Sequence, residues 1–160
     1  MIKVLCISDT HGRNQRWIEL INKIKPNIVL HCGDHCTEEE IMNKYADFWV
    51  AGNNDYIGNE IELFKLENVK FILFHGHQAA RFNLKKWKQN LVDIAKKHNV
   101  DAMIYGHSHI QDIDSVDGIV TINPGSLELP RNAELLPTYA TFEVVDNKIQ
   151  NIKIEFYDFN

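Results

Sequence analysis

Five short runs of metal-capable side chains punctuate this chain, and each one closes a strand-like apolar stretch. They read Ser8-Asp9-Thr10-His11-Gly12, Gly33-Asp34, Gly52-Asn53-Asn54-Asp55, His75-Gly76-His77 and Gly106-His107-Ser108-His109. One histidine near a strand end means little, but five strand ends all finishing in ligands need a common reason. In open α/β sheets, ligands gather at the carboxyl ends of strands, which is where every cluster lies. Carboxylate and amide oxygens suit harder ions, imidazoles suit Mn, Fe, Ni and Zn, and one carboxylate can bridge two metals. The mixed set of Asp, Asn and His is therefore what two adjacent divalent cations need.

The rest of the chain supports a single globular unit over residues 1–160. Its 160 residues are enough for one core, and 44% apolar with 24% charged residues is ordinary for such a domain. A net charge of −5 disfavours a nucleic-acid binder, which usually carries a basic face. It leaves room for a phosphorylated substrate, because bound metals supply local positive charge. No stretch approaches the roughly 20 apolar residues of a membrane span. The first eight residues are too short for a signal-peptide core and read as a buried strand. Cys6, Cys32 and Cys36 are an odd count without framework spacing, so free thiols in a reducing cytoplasm are expected.

Periodicity places the clusters. Residues 2–7 and 28–32 read as buried strands, and residues 46–51 as a third. Trp17, Ile18, Ile21 and Ile24 form one helical face over residues 14–25, which Pro26 ends. The acidic Thr37-Glu38-Glu39-Glu40 opens a short helix. Residues 61–66 and 69–74 predict a hairpin around Glu67-Asn68, and residues 84–98 the longest helix. Residues 102–105 form a further strand; after residue 110 the pattern turns to strands at 110–116, 119–122, 138–145 and 149–157. Alternating strands and helices followed by strands predict an α/β fold with a mixed sheet system covered by helices.

The candidate metal ligands are Asp9, His11, Asp34, Asn53, His75, His107 and His109. Asp9 and His11 share one turn, Asp34 is placed to bridge, and Asn53 offers a neutral carbonyl oxygen. Gly12, Gly33, Gly52, Gly76 and Gly106 flank them and permit positive φ and close backbone approach. Two metals about 3.5–4 Å apart lower the pKa of a bridging water, clamp phosphoryl oxygens and neutralise developing charge. Phosphate-ester hydrolysis uses all three. His77 reads equally as a ligand-supporting, substrate-contacting or structural residue. His31, His35 and His98 read as structural or exposed. Cys32 and Cys36 beside His31 and His35 lack the second Cys/His pair of a zinc site.

D-x-H, G-D, G-N-x-D, H-G-H and G-H-x-H, in this order, resemble the signature of the calcineurin-like metallophosphoesterases over essentially the whole chain. The small size, Ile122-Asn123-Pro124-Gly125-Ser126 and the following Pro130-Arg131 are similar to the compact prokaryotic YfcE/MJ0936-type phosphodiesterases. The resemblance implies a four-layer αββα sandwich, two mixed β-sheets flanked by helices. It implies that Asp9, His11, Asp34 and His109 hold one ion, and Asp34, Asn53, His75 and His107 the second. It implies a role for Arg131 in meeting a phosphate oxygen. It also implies hydrolysis of small phosphate diesters by hydroxide held between two divalent ions, Mn first, with Ni, Fe, Co or Zn as alternatives. Many family members carry a histidine at the position of Asn54, where it protonates the leaving oxygen. An amide is no general acid at neutral pH, which points to diesters with good leaving groups unless His77 or a metal-bound water donates the proton. Asp55, without that imidazole neighbour, would then hold its loop. The competing expectations are a phosphomonoesterase and an interaction scaffold of the retromer-subunit type. Phe156, Tyr157 and Phe159 read either as a homo-oligomer surface or as an ordinary last strand.

Overall fold

In a computed structural model that describes residues 1–157, two five-stranded mixed sheets pack face to face with helices outside. The elements run β1 Ile2–Ile7, α1 Gln15–Ile24, β2 Ile28–His31, α2 Glu39–Tyr45, β3 Phe48–Trp49, β4 Ile61–Leu66 and β5 Val69–Phe74. They continue with α3 Leu84–Lys96, β6 Ala102–Ile104, β7 Asp112–Val116, β8 Ile119–Asn123, β9 Thr138–Val145 and β10 Lys148–Phe156. One sheet has the order β10-β9-β1-β2-β3, the other β4-β5-β6-β8-β7. In the first, β1, β2 and β3 are parallel; in the second, β5, β6 and β8 are.

Strands buried on both faces read as continuous apolar runs, and alternation then sorts their side chains between layers. Val4 and Cys6 of β1 point into the core between the sheets, while Leu5 and Ile7 pack with Trp17, Leu20 and Met42 under α1 and α2. Phe71 and Leu73 of β5 share the inter-sheet core, and Ile72 and Phe74 face Trp87, Leu91, Val92 and Ala95 of α3. The order is therefore helix, sheet, sheet, helix. Phe48, Phe64, Phe71 and Phe142 form a stacked row through the centre, with successive centroids 4.1, 5.1 and 5.7 Å apart. Each such pair adds about 0.5–1.5 kcal/mol beyond its burial.

Several boundaries differ from the sequence expectations, each for a local reason. The run at 46–51 gives only Phe48–Trp49, because Ala51 N–H leaves the sheet to bond the Asn59 carbonyl at 2.9 Å. Strand β7 begins at Asp112, since the Ser108 hydroxyl binds both the N–H and the carbonyl of Ile110 at 3.1 Å and keeps that residue in the turn. Helix α3 stops at Lys96, after which tighter three-residue bonds from Lys97, His98 and Asn99 close the last turn. Its start is capped by Asn83, whose side chain accepts from Lys86 N–H at 3.0 Å. Tyr157 packs under α1 and donates its hydroxyl to Glu19 at 2.8 Å, whereas Phe156 is exposed and Phe159 lies outside the described residues. Among the described residues no helix is long and apolar enough to cross a membrane.

Candidate metal centre

The loops after β1, β2, β3, β5 and β6 carry the five clusters, and they are laced to one another through the backbone. Asp9 N–H bonds the Gly33 carbonyl at 3.0 Å, His11 N–H the Asp34 carbonyl at 2.9 Å, and Gly106 N–H the His75 carbonyl at 2.9 Å. This lacing supports an unusual backbone. Asp9, His11, Asp34, His107 and His109 all adopt left-handed φ, at +55, +47, +52, +73 and +60°. A non-glycine residue in a sparsely populated φ/ψ region costs on the order of 1–3 kcal/mol and persists only where its surroundings over-determine it. The candidate ligands thus carry much of the conformational demand expected of the glycines. Gly52 and Gly106 serve a different purpose, close approach. A Cβ on Gly52 would lie 2.1 Å from Asp34 Oδ1, and one on Gly106 2.1 Å from Ser8 Oγ.

At the centre, Asp9 Oδ1 is 3.0 Å from His109 Nε2, 3.8 Å from His75 Nε2 and 4.0 Å from His11 Nε2. Asp34 Oδ2 is 3.5 Å from His75 Nε2 and 3.7 Å from His11 Nε2. His107 Nδ1 is 3.2 Å from His75 Nε2. Asp9, His11, Asp34 and His109 each offer one ligand atom, all within 4.8 Å of one another. Asp9, Asp34, His75 and His109 are buried.

Tautomers decide what this cluster wants. His109 Nδ1 lies 2.6 Å from the Leu129 carbonyl, and His75 Nδ1 2.8 Å from the Cys32 carbonyl. A carbonyl only accepts, so both Nδ1 atoms carry hydrogen and each ring turns its Nε2, the nitrogen a metal would take as a lone pair, toward a carboxylate. Although His109 Nε2 is close to Asp9 Oδ1, that oxygen and the buried His11 Nε2 have no hydrogen-bond partner among the described residues. Acceptors facing acceptors need a cation between them. Burial would raise the carboxyl pKa of Asp9, but His109, His75 and Ser8 outweigh it and hold it below the usual range. Burial is likewise outweighed at Asp34 by His75 and the Asn54 donors. At His75, burial opposes charge but Asp34 and Asp9 prevail and raise its pKa; a proton is the cation a metal would displace. His107 is pushed down to about 4 by burial and by the positive charges of His75 and Arg81, which leaves its ring neutral. The donor set fits divalent metal.

The residues around this cluster hold it in place. Asn54 grips both oxygens of Asp34, its N–H on Oδ1 at 3.0 Å and its Nδ2 on Oδ2 at 2.8 Å. Asp55 ties its own loop to the next, accepting from Gly52 N–H at 2.7 Å, Cys36 N–H at 2.8 Å and His35 N–H at 3.3 Å. It does have an imidazole neighbour, His35, whose Nε2 is 3.4 Å away. His31 Nδ1 accepts from Gly33 N–H, so its Nε2–H is left for Thr10 Oγ1 at 2.9 Å. His77 Nε2 lies 2.9 Å from Glu60 Oε2 and its ring 5.6 Å from that of His75, while its buried Nδ1 has no hydrogen-bond partner among the described residues.

Asp9, His11, Asp34, His75, His107 and His109 therefore converge. Asn53 sits on the exposed lip, and its side chain makes no hydrogen bond among the described residues. Arg131 is exposed, joined to the site through its N–H on the His109 carbonyl at 2.9 Å. Ser108 Oγ binds Ile110 and Asn123 Nδ2, a loop-holding role. Three contributors carried no strand-end signature. Ser126 Oγ donates to the Asp9 carbonyl at 2.8 Å, Glu60 holds His77 and Gln78, and Arg81 Nη1 donates to the His107 carbonyl. Only Ser126 had a sequence signal, its place in the Asn-Pro-Gly-Ser stretch.

Known proteins are similar to this chain in sequence and fold. Residues 2–147 match the calcineurin-like phosphoesterase superfamily domain. The probable metallophosphoesterase MG207 of Mycoplasma genitalium is 54% identical across 98% of this chain and 96% of its own. The phosphodiesterase YfcE of Escherichia coli K12 is 28% identical across 95% of this chain and 91% of its own. Among solved structures, a predicted phosphoesterase of Streptococcus pneumoniae TIGR4 superposes with a TM-score of 0.80 at 26% identity, covering 97% of this chain and 88% of that one. Zinc-complexed Vps29 of Entamoeba histolytica gives a TM-score of 0.74 at 26% identity, covering 99% of this chain and 100% of that one. With the sheets, the ligand order and these likenesses in agreement, the chain belongs to the calcineurin-like phosphoesterase superfamily.

Proposed function

We propose that this protein is a phosphodiesterase that hydrolyses small phosphate diesters with good leaving groups and depends on two divalent ions, manganese foremost. The observation that carries the reading is the convergence of imidazole nitrogens and buried carboxylates, with Asp9 Oδ1 and His11 Nε2 left without hydrogen-bond partners among the described residues. Asp9, His11, Asp34 and His109 would hold one ion; Asp34, Asn53, His75 and His107 would hold the other. Ions bound there supply Lewis acidity, charge neutralisation and a nucleophilic hydroxide at neutral pH.

The chain's own groups do the positioning. The Leu129 and Cys32 carbonyls fix the rings of His109 and His75, and Asn54 fixes the carboxylate shared by both sets. Asn54 cannot deliver a proton to a departing alkoxide, so the favoured substrate is a diester whose leaving group is stable as an anion. The YfcE relative carries the name phosphodiesterase, which supports the diester reading over the monoester one. We place the activity in the cytoplasm, on free small molecules rather than nucleic acid, in keeping with the net charge of −5.

The second reading, an interaction scaffold, rests on the likeness to Vps29. Metal-stripped protein resupplied with each divalent ion in turn, and offered an activated diester and its monoester counterpart, separates these. We expect retained metal and Mn-stimulated hydrolysis favouring the diester. Faster monoester turnover overturns the diester assignment. No metal uptake and no hydrolysis with any ion favours the scaffold.

A further inference from the structure

Arg81 lies in the loop after β5, half-buried and one turn of chain beyond His75 and His77. Its Nη1 donates to the His107 carbonyl, so its guanidinium stands beside the loop that carries His107 and His109. His107 in turn faces His75 at 3.2 Å, which puts Arg81 on the side of the proposed second ion. A guanidinium has five N–H donors, and the other four of Arg81 make no hydrogen bond or ion pair among the described residues. The nearby carboxylate Glu60 is engaged by His77 and Gln78 instead. A partly desolvated cation without a carboxylate partner is costly unless an anion completes it. The remaining arginines near the site are placed differently. Arg16 is 3.1 Å from Glu128, while Arg13 and Arg131 are exposed.

Resting on the phosphodiesterase reading, we propose that Arg81 is the residue that receives the non-bridging oxygens of the substrate's phosphoryl group. Its planar fork matches two phosphate oxygens, whereas a lysine at that point would act as a single-point charge. The bond to the His107 carbonyl fixes the fork relative to the metal ligands, so the phosphoryl group is oriented as well as attracted. The role expected of Arg131 passes to Arg81.

The test reads binding as well as turnover. Manganese-loaded wild type, Arg81→Ala, Arg81→Lys and Arg131→Ala proteins are titrated calorimetrically with inorganic phosphate, with metal content and melting temperature measured on each. Loss of a charged hydrogen-bonded partner is worth about 1.5–3 kcal/mol, so Arg81→Ala should bind phosphate roughly 10–100-fold more weakly. Arg81→Lys keeps a donor for the His107 carbonyl and should keep its metal, yet still lose several-fold in phosphate affinity. If Arg81→Ala sheds metal or melts early, Arg81→Lys decides. Unchanged phosphate affinity in Arg81→Lys with metal retained overturns the proposal, as does a larger loss in Arg131→Ala or no phosphate binding by wild type. Wild type that binds phosphate through Arg81 and hydrolyses no diester overturns the phosphodiesterase reading alone.

Discussion

A single methyl group at Gly52 tests whether the carboxylate of Asp34 is positioned by close packing. The Cβ of Gly52→Ala would stand 2.1 Å from Asp34 Oδ1, 2.5 Å from Asp34 N and 2.8 Å from Asp34 Cγ. Comfortable contact begins near 3.5 Å, so the carboxylate oxygen must retreat by about 1.4 Å, and the backbone nitrogen cannot yield without moving the loop. That retreat breaks the two Asn54 bonds to Asp34, at 3.0 and 2.8 Å. Hydrogen bonds to a charged group are worth about 1.5–3 kcal/mol each, which caps the loss near 3–6 kcal/mol. Relaxation of the loop recovers part of it. Because both proposed ion sites share Asp34, we expect manganese affinity in calorimetry to fall at least tenfold and the melting temperature to drop. Gly118→Ala is the control. It has φ +80° but nothing within 4 Å of the added carbon, so it should cost only backbone strain, about 1 kcal/mol of stability, and leave metal binding alone. Manganese affinity within twofold of wild type in Gly52→Ala would refute the reasoning. So would equal effects of the two substitutions.

If Asp34 is shared by the two proposed ion sites, Asp34→Asn should lose activity far more than His109→Gln; comparable residual rates in steady-state assays would count against a shared carboxylate. Asn54→His should raise the ratio of rates on poor to good leaving groups, while losing the Nδ2 bond to Asp34 and so slowing activated diesters. A leaving-group series with one uniform factor would sink the general-acid argument. The buried His31 has its pKa pushed down to about 3, first by burial and then by the positive charge of His35. A depressed folded pKa means that its stabilising contribution is present above the unfolded value of about 6.5 and is lost as pH falls toward 3. Chemical denaturation across that window should show wild type losing stability more steeply than His31→Gln; parallel curves would contradict this.

Much of this protein was readable along the chain because the governing interactions are local. The alternation in Val69–Phe74 sorts its side chains between two layers whatever the rest of the fold does, and a Glu67-Asn68 turn closes that hairpin. The clusters of candidate ligands were readable for a similar reason, since each lies in the loop that follows its own strand. The boundaries that went astray were moved by particular hydrogen bonds that periodicity does not report. The 46–51 run was cut to two residues by a hydrogen bond to Asn59, eight positions beyond Ala51. The glycines flanking the candidate ligands were recognisable as necessary, but not which of them served left-handed φ and which served contact.

Periodicity and cluster spacing thus dictated the α/β character and the loops in which the candidate ligands gather, because each is set within a few neighbouring residues. Folding in three dimensions chose the rest. It paired Asn54 with Asp34 and Asp55 with His35, both 20 positions apart, and brought Arg81 to the His107 carbonyl across 26. It also turned the Nδ1 hydrogens of His75 and His109 onto carbonyls 43 and 20 positions away, and so aimed their lone pairs inward. Such contacts depend on how two sheets stack and where their loops meet, and no local pattern in the chain encodes that geometry.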